Sequence, residues 1–318
     1  MHCSRPRVLY VVGSGRSGTT LLDNVLGTLP GYFSTGELQL LWLALRQRSG
    51  CGCGRPVADC EVWSRVIERC HREISWFDPQ RVEHLVQNEL RIKHTPRLLR
   101  RLPHQLQTRP ELAQLAEVLR SVYLGTAEYT GSRVIVDSSK SPAPATILSA
   151  LEEAIDPFIV LLVRDPRAVA YSWRSRQPTL DRHRPGEMHQ LTGLRSSLRW
   201  TATNLLGERV RKRLGKDRSL VVRYEDFISN PRVTLKRIAR MMGDDDIDLP
   251  LKDDATIVLG ANHTVWGNRS RFITGPVTLR MDRRWEKELP RSVSASVTAL
   301  TLPGLMKYGY LRPIMRGS

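Results

Sequence analysis

The chain has 318 residues, of which 41% are hydrophobic and 25% charged. That balance excludes disordered, collagen-like and disulfide-stapled miniprotein classes and allows a sizeable core. Lys and Arg number 49 against 32 Asp and Glu, for a formal charge of +17, so the ligands or surfaces it favours are anionic, with nucleic acid as one open class.

An apolar run at Val8–Val12 predicts a buried strand. It leads directly into Gly13-Ser14-Gly15-Arg16-Ser17-Gly18-Thr19-Thr20 and then Leu21-Leu22. A glycine loop between a strand and a helix turns backbone N–H groups toward one point, where the helix dipole favours an anion. Two readings share this loop. Gly13, Gly15 and Gly18 spell the dinucleotide fingerprint, with an acid, Glu37, about twenty residues on. Gly13, Gly18 and Thr20 also fit a P-loop, except that Thr19 holds the lysine position and the nearby cation is Arg16.

Residues 38–130 show helical spacing, as in Leu112, Leu115, Ala116 and Leu119, interrupted at Pro79, Pro96, Pro103 and Pro110. This predicts a mainly helical insertion. It contains Cys51, Cys53 and Cys60, which with Cys70 or His71 as a fourth ligand could bind zinc. The spacing is not a standard structural-zinc pattern, and a disulfide or buried thiols are the plainer readings. Five cysteines, counting Cys3, are an odd number in a large chain, which points to reduced thiols.

Three more strand-like runs follow: Val134–Val136, Phe158–Val163 and Leu220–Val222. Apolar strands separated by helical patterns predict an α/β fold, a parallel sheet with helices on both faces and ligands beyond the carboxyl ends of the strands. Lys140 lies just past the first of these runs, at that edge. After the next comes Arg164-Asp165-Pro166 and, further along, Ser172. Asp165 can cap a helix with Pro166 at its first position, leaving Arg164 at the strand end. If that helix crosses the sheet edge, Arg164 and Ser172 form a second phosphate site; the plainer reading pairs Arg164 with Asp165. Tyr224 follows the last run and suits either an adenine contact or the core. Residues 251–318 read as short pieces wrapping the sheet, with Trp285 in the core. No stretch approaches the roughly 18 to 20 apolar residues of a membrane span, and the N-terminus has no signal-peptide pattern. A soluble, cytoplasmic protein with no transmembrane segment is the expectation.

Arg16-Ser17-Gly18-Thr19-Thr20, the segment Arg164 to Ser172, and Tyr224-Glu225-Asp226 together resemble the sulfotransferase superfamily that uses 3′-phosphoadenosine 5′-phosphosulfate (PAPS). The spelling is closest to the tyrosylprotein, carbohydrate-type and bacterial members. The resemblance implies one domain over 1–318 with a P-loop-like three-layer fold. It also implies in-line sulfuryl transfer from PAPS to a hydroxyl of a carbohydrate, glycolipid, small metabolite or tyrosine, with no metal required. On it, Gly15, Arg16, Ser17, Gly18, Thr19 and Thr20 hold the 5′-phosphosulfate, and Arg164 and Ser172 the 3′-phosphate. Tyr224 contacts the adenine. Gly267, Asn268 and Arg271 form a loop closing over the 3′-phosphate or adenine. Arg16 and Lys140 stabilise charge, and Glu37, or a histidine such as His263, serves as base. The excess positive charge suits a multiply charged donor and an anionic acceptor.

Two other classes compete. Arginine-rich stretches at 97–109 and 174–184 suggest nucleic-acid binding, but aromatic content is 6% and no stacking motif is present, so no stable nucleic-acid partner is expected. A P-loop kinase lacks its lysine. A dinucleotide enzyme needs Glu37 at the end of a second strand, whereas Gly31–Gly36 reads as turn.

Overall fold

The structure, a computed structural model, describes residues 5–175 and 189–311. Cys3 and most of the arginine-rich stretch at 174–184 lie outside them. In chain order, β1 (Arg7–Gly13) leads through the glycine loop into α1 (Thr19–Leu26), followed by β2 (Tyr32–Gly36). Five helices then occupy the region between β2 and the next strand: α2 (Leu41–Arg46), α3 (Glu61–Glu73), α4 (Pro79–Glu89), α5 (Thr95–Thr108) and α6 (Pro110–Thr130). After them come β3 (Val134–Lys140), α7 (Pro142–Ile147), β4 (Asp156–Val163), α8 (Pro166–Arg174), α9 (Gly193–Leu214) and β5 (Ser219–Arg223). The remaining elements are α10 (Tyr224–Ser229), α11 (Pro231–Met241), β6 (Thr256–Leu259), β7 (Gly275–Thr278), α12 (Trp285–Glu288) and α13 (Arg291–Lys307).

The five strands β1 to β5 form one parallel sheet in the order β2-β3-β1-β4-β5. Alternation along β1 sends Val8, Tyr10 and Val12 to one face and Leu9 and Val11 to the other, and both sets are fully buried. Each face therefore needs its own covering layer. On the first face lie Trp63, Val66 and Cys70 of α3, Leu112, Leu115 and Val122 of α6, and Trp200 of α9. On the second lie Leu22, Val25 and Leu26 of α1, Phe227 of α10 and Leu235 of α11. The antiparallel β6–β7 hairpin adds Ile257 and Leu259 to the second layer.

Three of the four prolines that interrupt the helical pattern begin helices. Pro79, Pro96 and Pro110 stand at the first turns of α4, α5 and α6, where a missing N–H costs nothing. The fourth, Pro103, falls within the range of α5, which leaves helical geometry at Arg101 (φ −136°).

Two expectations need correction. Residues 32–36 form a strand, not a turn. Tyr32 and Phe33 supply few apolar side chains, so the element is fixed by pairing with β3, Tyr32 opposite Val134 and Ser34 opposite Val136. Glu37 thus does follow a second strand, but the dinucleotide arrangement would place that strand beside β1, and here β3 separates the two. Trp285 is only half-buried: it sits in the four-residue α12 among charged neighbours, with the Arg167 guanidinium 4.9 Å above its ring.

Candidate active site

The carboxyl ends of the strands open into a cleft of about 830 Å³. Its walls include Gly15, Arg16, Gly18, Thr19 and Thr20 of the glycine loop, Glu37, Lys140, Arg164, Ser172, Tyr224, and Gly267, Asn268 and Arg271 of the 260–272 segment. Ser17 is the exception among the expected residues. Its backbone N–H donates to the Ser14 carbonyl at 3.1 Å, and its fully buried hydroxyl lies off the cleft lining without a hydrogen-bond partner. Among the described residues, six cations line the cleft, namely Arg16, Lys140, Arg164, Arg199, Arg271 and Arg280, against one acid, Glu37. Such a set favours anionic ligands.

The loop is built to present its amides. α1 begins at Thr19 with Gly18 at the N-cap, and no side chain caps it; the Leu21 N–H is spent on the Gly18 carbonyl at 3.1 Å, which leaves the first-turn N–H groups before it to an anion. Gly18 adopts φ +88°, and a Cβ there would stand 2.4 Å from the Tyr224 ring. The ring packs against this glycine on one side and carries the Arg164 guanidinium 4.6 Å from its centroid. Arg164 also donates to the Arg16 carbonyl at 3.0 Å, while the Trp173 indole donates to the Gly15 carbonyl at 3.2 Å and carries the Arg16 guanidinium at 5.0 Å. Burial lowers the Arg16 pKa, opposed by the nearby Glu37 carboxylate; ordinary arginine values are so high that it remains charged.

Arg164 does not pair with Asp165, as the plainer reading had it. Asp165 caps α8, accepting from the Arg167 N–H at 2.8 Å, and forms its ion pair with Arg167 at 2.7 Å. Arg164 is therefore left to the loop and cleft, and Ser172 of α8 lines the same cleft. Tyr224 is 8% exposed, its ring edge shared between core and cleft, and burial raises its pKa. Its neighbour Glu225 is committed elsewhere, accepting from the Asp165 N–H at 3.0 Å and the Tyr310 hydroxyl at 2.7 Å.

Opposite the loop, Glu37 and Lys140 form an ion pair at 2.5 Å. The Glu37 backbone N–H donates to the Val265 carbonyl at 2.8 Å, and the Val265 N–H donates to Thr35 at 2.8 Å. Val265 thus ties the 260–272 segment to the end of β2. Beyond it, Gly267 at φ +112° approaches closely enough that an added Cβ would lie 3.3 Å from the Thr20 hydroxyl and 3.6 Å from a Glu37 carboxylate oxygen. The Asn268 N–H donates to the Thr20 hydroxyl at 3.3 Å. Arg271 is 3% exposed and donates to the Thr264 carbonyl at 2.9 Å, so much of its work is holding this segment together.

Sequence reasoning did not single out Trp173, Arg199, Gln39 or His189, all on the cleft wall. Trp173 adjoins Ser172 and could have been found by extending that motif; Arg199, in the middle of α9, has no local signal. His263, the alternative base, is not on the cleft. Its Nδ1 lies 3.2 Å from the Cys60 sulfur. The expected partners of the thiol cluster also differ: Cys70 contacts the Ser121 hydroxyl and His71 packs edge-on against Phe77, so the fourth group beside Cys51, Cys53 and Cys60 is His263. Among the described residues, no helix is long and apolar enough to cross a membrane.

A family model described as the sulfotransferase family matches residues 7–248. No curated protein sequence matches the chain. Among solved structures, a sulfotransferase domain from the curacin biosynthetic pathway is 16% identical with a TM-score of 0.51, over 94% of this chain and 98% of that one. At that identity the likeness concerns the fold. A sulfotransferase domain of the Synechococcus PCC 7002 olefin synthase is 20% identical (TM-score 0.46, 98% of both chains). A sulfotransferase of Mycobacterium avium is 13% identical (TM-score 0.46, 96% of this chain and 77% of that one).

Proposed function

The chain belongs to the sulfotransferase family, and on that premise we propose that it transfers a sulfuryl group from PAPS to a hydroxyl-bearing acceptor by in-line displacement. The observation that carries the choice of donor is the convergence on one cleft of Arg16, the open α1 terminus, Arg164 and Ser172. A donor with phosphate groups at the 3′ and 5′ positions of its ribose suits that accumulation of positive charge. The residues fit it: the α1 terminus has no side-chain cap, Gly18 leaves no room for a Cβ beside Tyr224, and cations outnumber acids on the wall.

In this reading the loop amides and Arg16 hold the 5′-phosphosulfate and stabilise the negative charge that grows on the phosphate as the S–O bond to it breaks. A transferring sulfuryl group carries less charge than a phosphoryl group, so side-chain cations and amides suffice without the divalent metal of P-loop NTPases. Arg164 and Ser172 bind the 3′-phosphate, and Tyr224 flanks the adenine. Glu37 takes the proton of the acceptor hydroxyl as its oxygen bonds to sulfur. Lys140, its ion-pair partner, supplies a cation at the same point of the cleft. Bound PAPS supplies the sulfuryl group and departs as adenosine 3′,5′-bisphosphate. A reducing, cytoplasmic setting belongs to the same proposal, supported by the four described cysteines standing as free thiols.

The test is calorimetric binding of adenosine 3′,5′-bisphosphate in EDTA, followed by transfer of radiolabelled sulfate from PAPS into extract of the source organism. Binding in the micromolar range is expected, with a loss of more than about tenfold in Arg164→Ala. Absence of binding overturns the assignment of the donor.

A further inference from the structure

The cluster of Cys51, Cys53, Cys60 and His263 lies apart from the transfer chemistry. The ligand-capable atoms of these four residues all fall within 4.8 Å of one another. Cys51 and Cys60 place their sulfurs 3.6 Å apart, and His263 Nδ1 stands 3.2 Å from the Cys60 sulfur. Zinc bonds sulfur at about 2.3 Å and imidazole nitrogen at about 2.0–2.1 Å, so a tetrahedral site has S···S edges of about 3.8 Å and S···N edges of about 3.6 Å. These two separations are close to those edges, and the sulfur pair is well beyond a disulfide bond. We propose that Cys51, Cys53, Cys60 and His263 form a Cys₃His zinc site that clamps the 260–272 wall of the cleft to the segment between α2 and α3.

The backbone supports this ligand set. Each sulfur receives an amide N–H from two or three residues on: Cys53 to Cys51, Arg55 to Cys53, and Trp63 to Cys60. Thiolates bound to a metal carry charge that such N–H groups stabilise. The His263 ring is held from two directions, stacked on Phe33 at 6.0 Å and fixed through its carbonyl, which accepts from the Trp63 indole at 2.8 Å. Gly52 passes so near Asn262 that a Cβ would overlap its side-chain oxygen, while the Gly52 N–H donates to Thr264 at 3.0 Å. The 51–60 loop and the 262–265 segment are thus laid against each other before any ion is considered. Cys51 and Gly36 both bridge to Val265, which accepts the Glu37 N–H. A metal here would fix the position of Glu37 and of Gly267 over Thr20, without touching donor or acceptor. Binding releases the protons of the three thiols as Zn²⁺ takes three thiolates and one neutral imidazole.

The test is elemental analysis of the full chain, expressed without added metal, reduced and desalted. One zinc per chain is expected. Cobalt exchanged into the protein should give thiolate charge-transfer absorption and the strong visible bands of tetrahedral coordination. His263→Cys, which preserves four ligands, should keep the metal, as should Cys70→Ser, whereas Cys60→Ser and His263→Ala should lose it severalfold or more. If the deletions fail to fold, wild-type content and His263→Cys still decide the matter. A folded wild-type chain without zinc, a Cys51–Cys60 disulfide in an unreduced digest, or loss of metal in Cys70→Ser overturns the proposal. None of these readouts depends on sulfuryl transfer, so they separate the zinc site from the assignment of the donor.

Discussion

Glu37→Gln tests the division of labour in the cleft. The amide keeps the shape of the carboxylate and leaves the backbone unchanged, since the bonds from Glu37 N–H to Val265 and from Leu40 N–H to the Glu37 carbonyl, at 2.8 and 2.9 Å, do not involve the side chain. It can still accept from Lys140, now 2.5 Å from the carboxylate, but it cannot take a proton. General-base catalysis is worth about 10²–10⁴-fold, which at about 1.4 kcal/mol per tenfold is roughly 3–5 kcal/mol of barrier. Lys140 retains 19% side-chain exposure and can hydrate, so folding stability should change by less than about 2 kcal/mol. Nucleotide binding should stay within about threefold or tighten, because the variant removes a negative charge from the anion's surroundings. The assay is single-turnover sulfate transfer beside calorimetric binding of adenosine 3′,5′-bisphosphate. Transfer within about fivefold of wild type, or a parallel loss of binding and transfer, refutes the base assignment.

Gly18→Ala places a Cβ 2.4 Å from the Tyr224 ring at φ +88°, and Tyr224 carries Arg164 with it, so bisphosphate affinity should fall more than about tenfold; unchanged calorimetric affinity would remove this contact from the site. Arg16, at φ +70°, should show an inverted order of stability, with Arg16→Gly melting above Arg16→Ala by the equivalent of about 1 kcal/mol and both losing transfer. If the alanine variant is the more stable, the loop does not hold this conformation. Burial pushes the Asp23 carboxyl from 3.8 up to about 8, so between those values the folded chain keeps a proton that the unfolded chain has lost. Its contribution to stability is complete below about pH 4 and is lost as pH rises toward 8. Denaturant midpoints across this window should fall less steeply in Asp23→Asn, and an unaltered slope would count against it.

Much of the candidate site's placement was legible because its residues follow strands. The runs at Val8–Val12, Phe158–Val163 and Leu220–Val222 all lie in the sheet, and a parallel sheet sends the residues after each run to one edge. That is why Arg16, Arg164 and Tyr224, far apart in sequence, line one cleft. The Asp165 cap was readable too, being local. Pairing over long distances was not. Residues 32–36 are a strand because of β3, about a hundred positions later, and their flanking glycines, Gly31 and Gly36, both at positive φ, look like turn residues when read alone. His263 joins Cys60 across 203 positions, so no spacing rule near the cysteines could name it, whereas the nearer Cys70 and His71 were plausible by proximity alone.

Among the described residues, four that are not glycine adopt positive φ: Arg16, Arg48, Lys140 and Trp266. Three of them line the cleft. Each left-handed residue costs about 1–2 kcal/mol, so the surrounding structure must hold it there. Arg164 and Trp173 hold the carbonyls of Arg16 and Gly15. Glu37 holds Lys140. Trp266 lies between Val265, bridged to Gly36 and Cys51, and Gly267, packed on Thr20. Most of these restraints come from residues that also line the cleft, and all of them are made within the chain itself. A site fixed in this way spends little on ordering its own groups when an anion arrives, which is the condition for aiming amides and cations at charge that develops only during transfer. The zinc clamp extends the same logic to the third strained residue, whose wall of the cleft would otherwise rest on the Val265 bridges and a few hydrogen bonds.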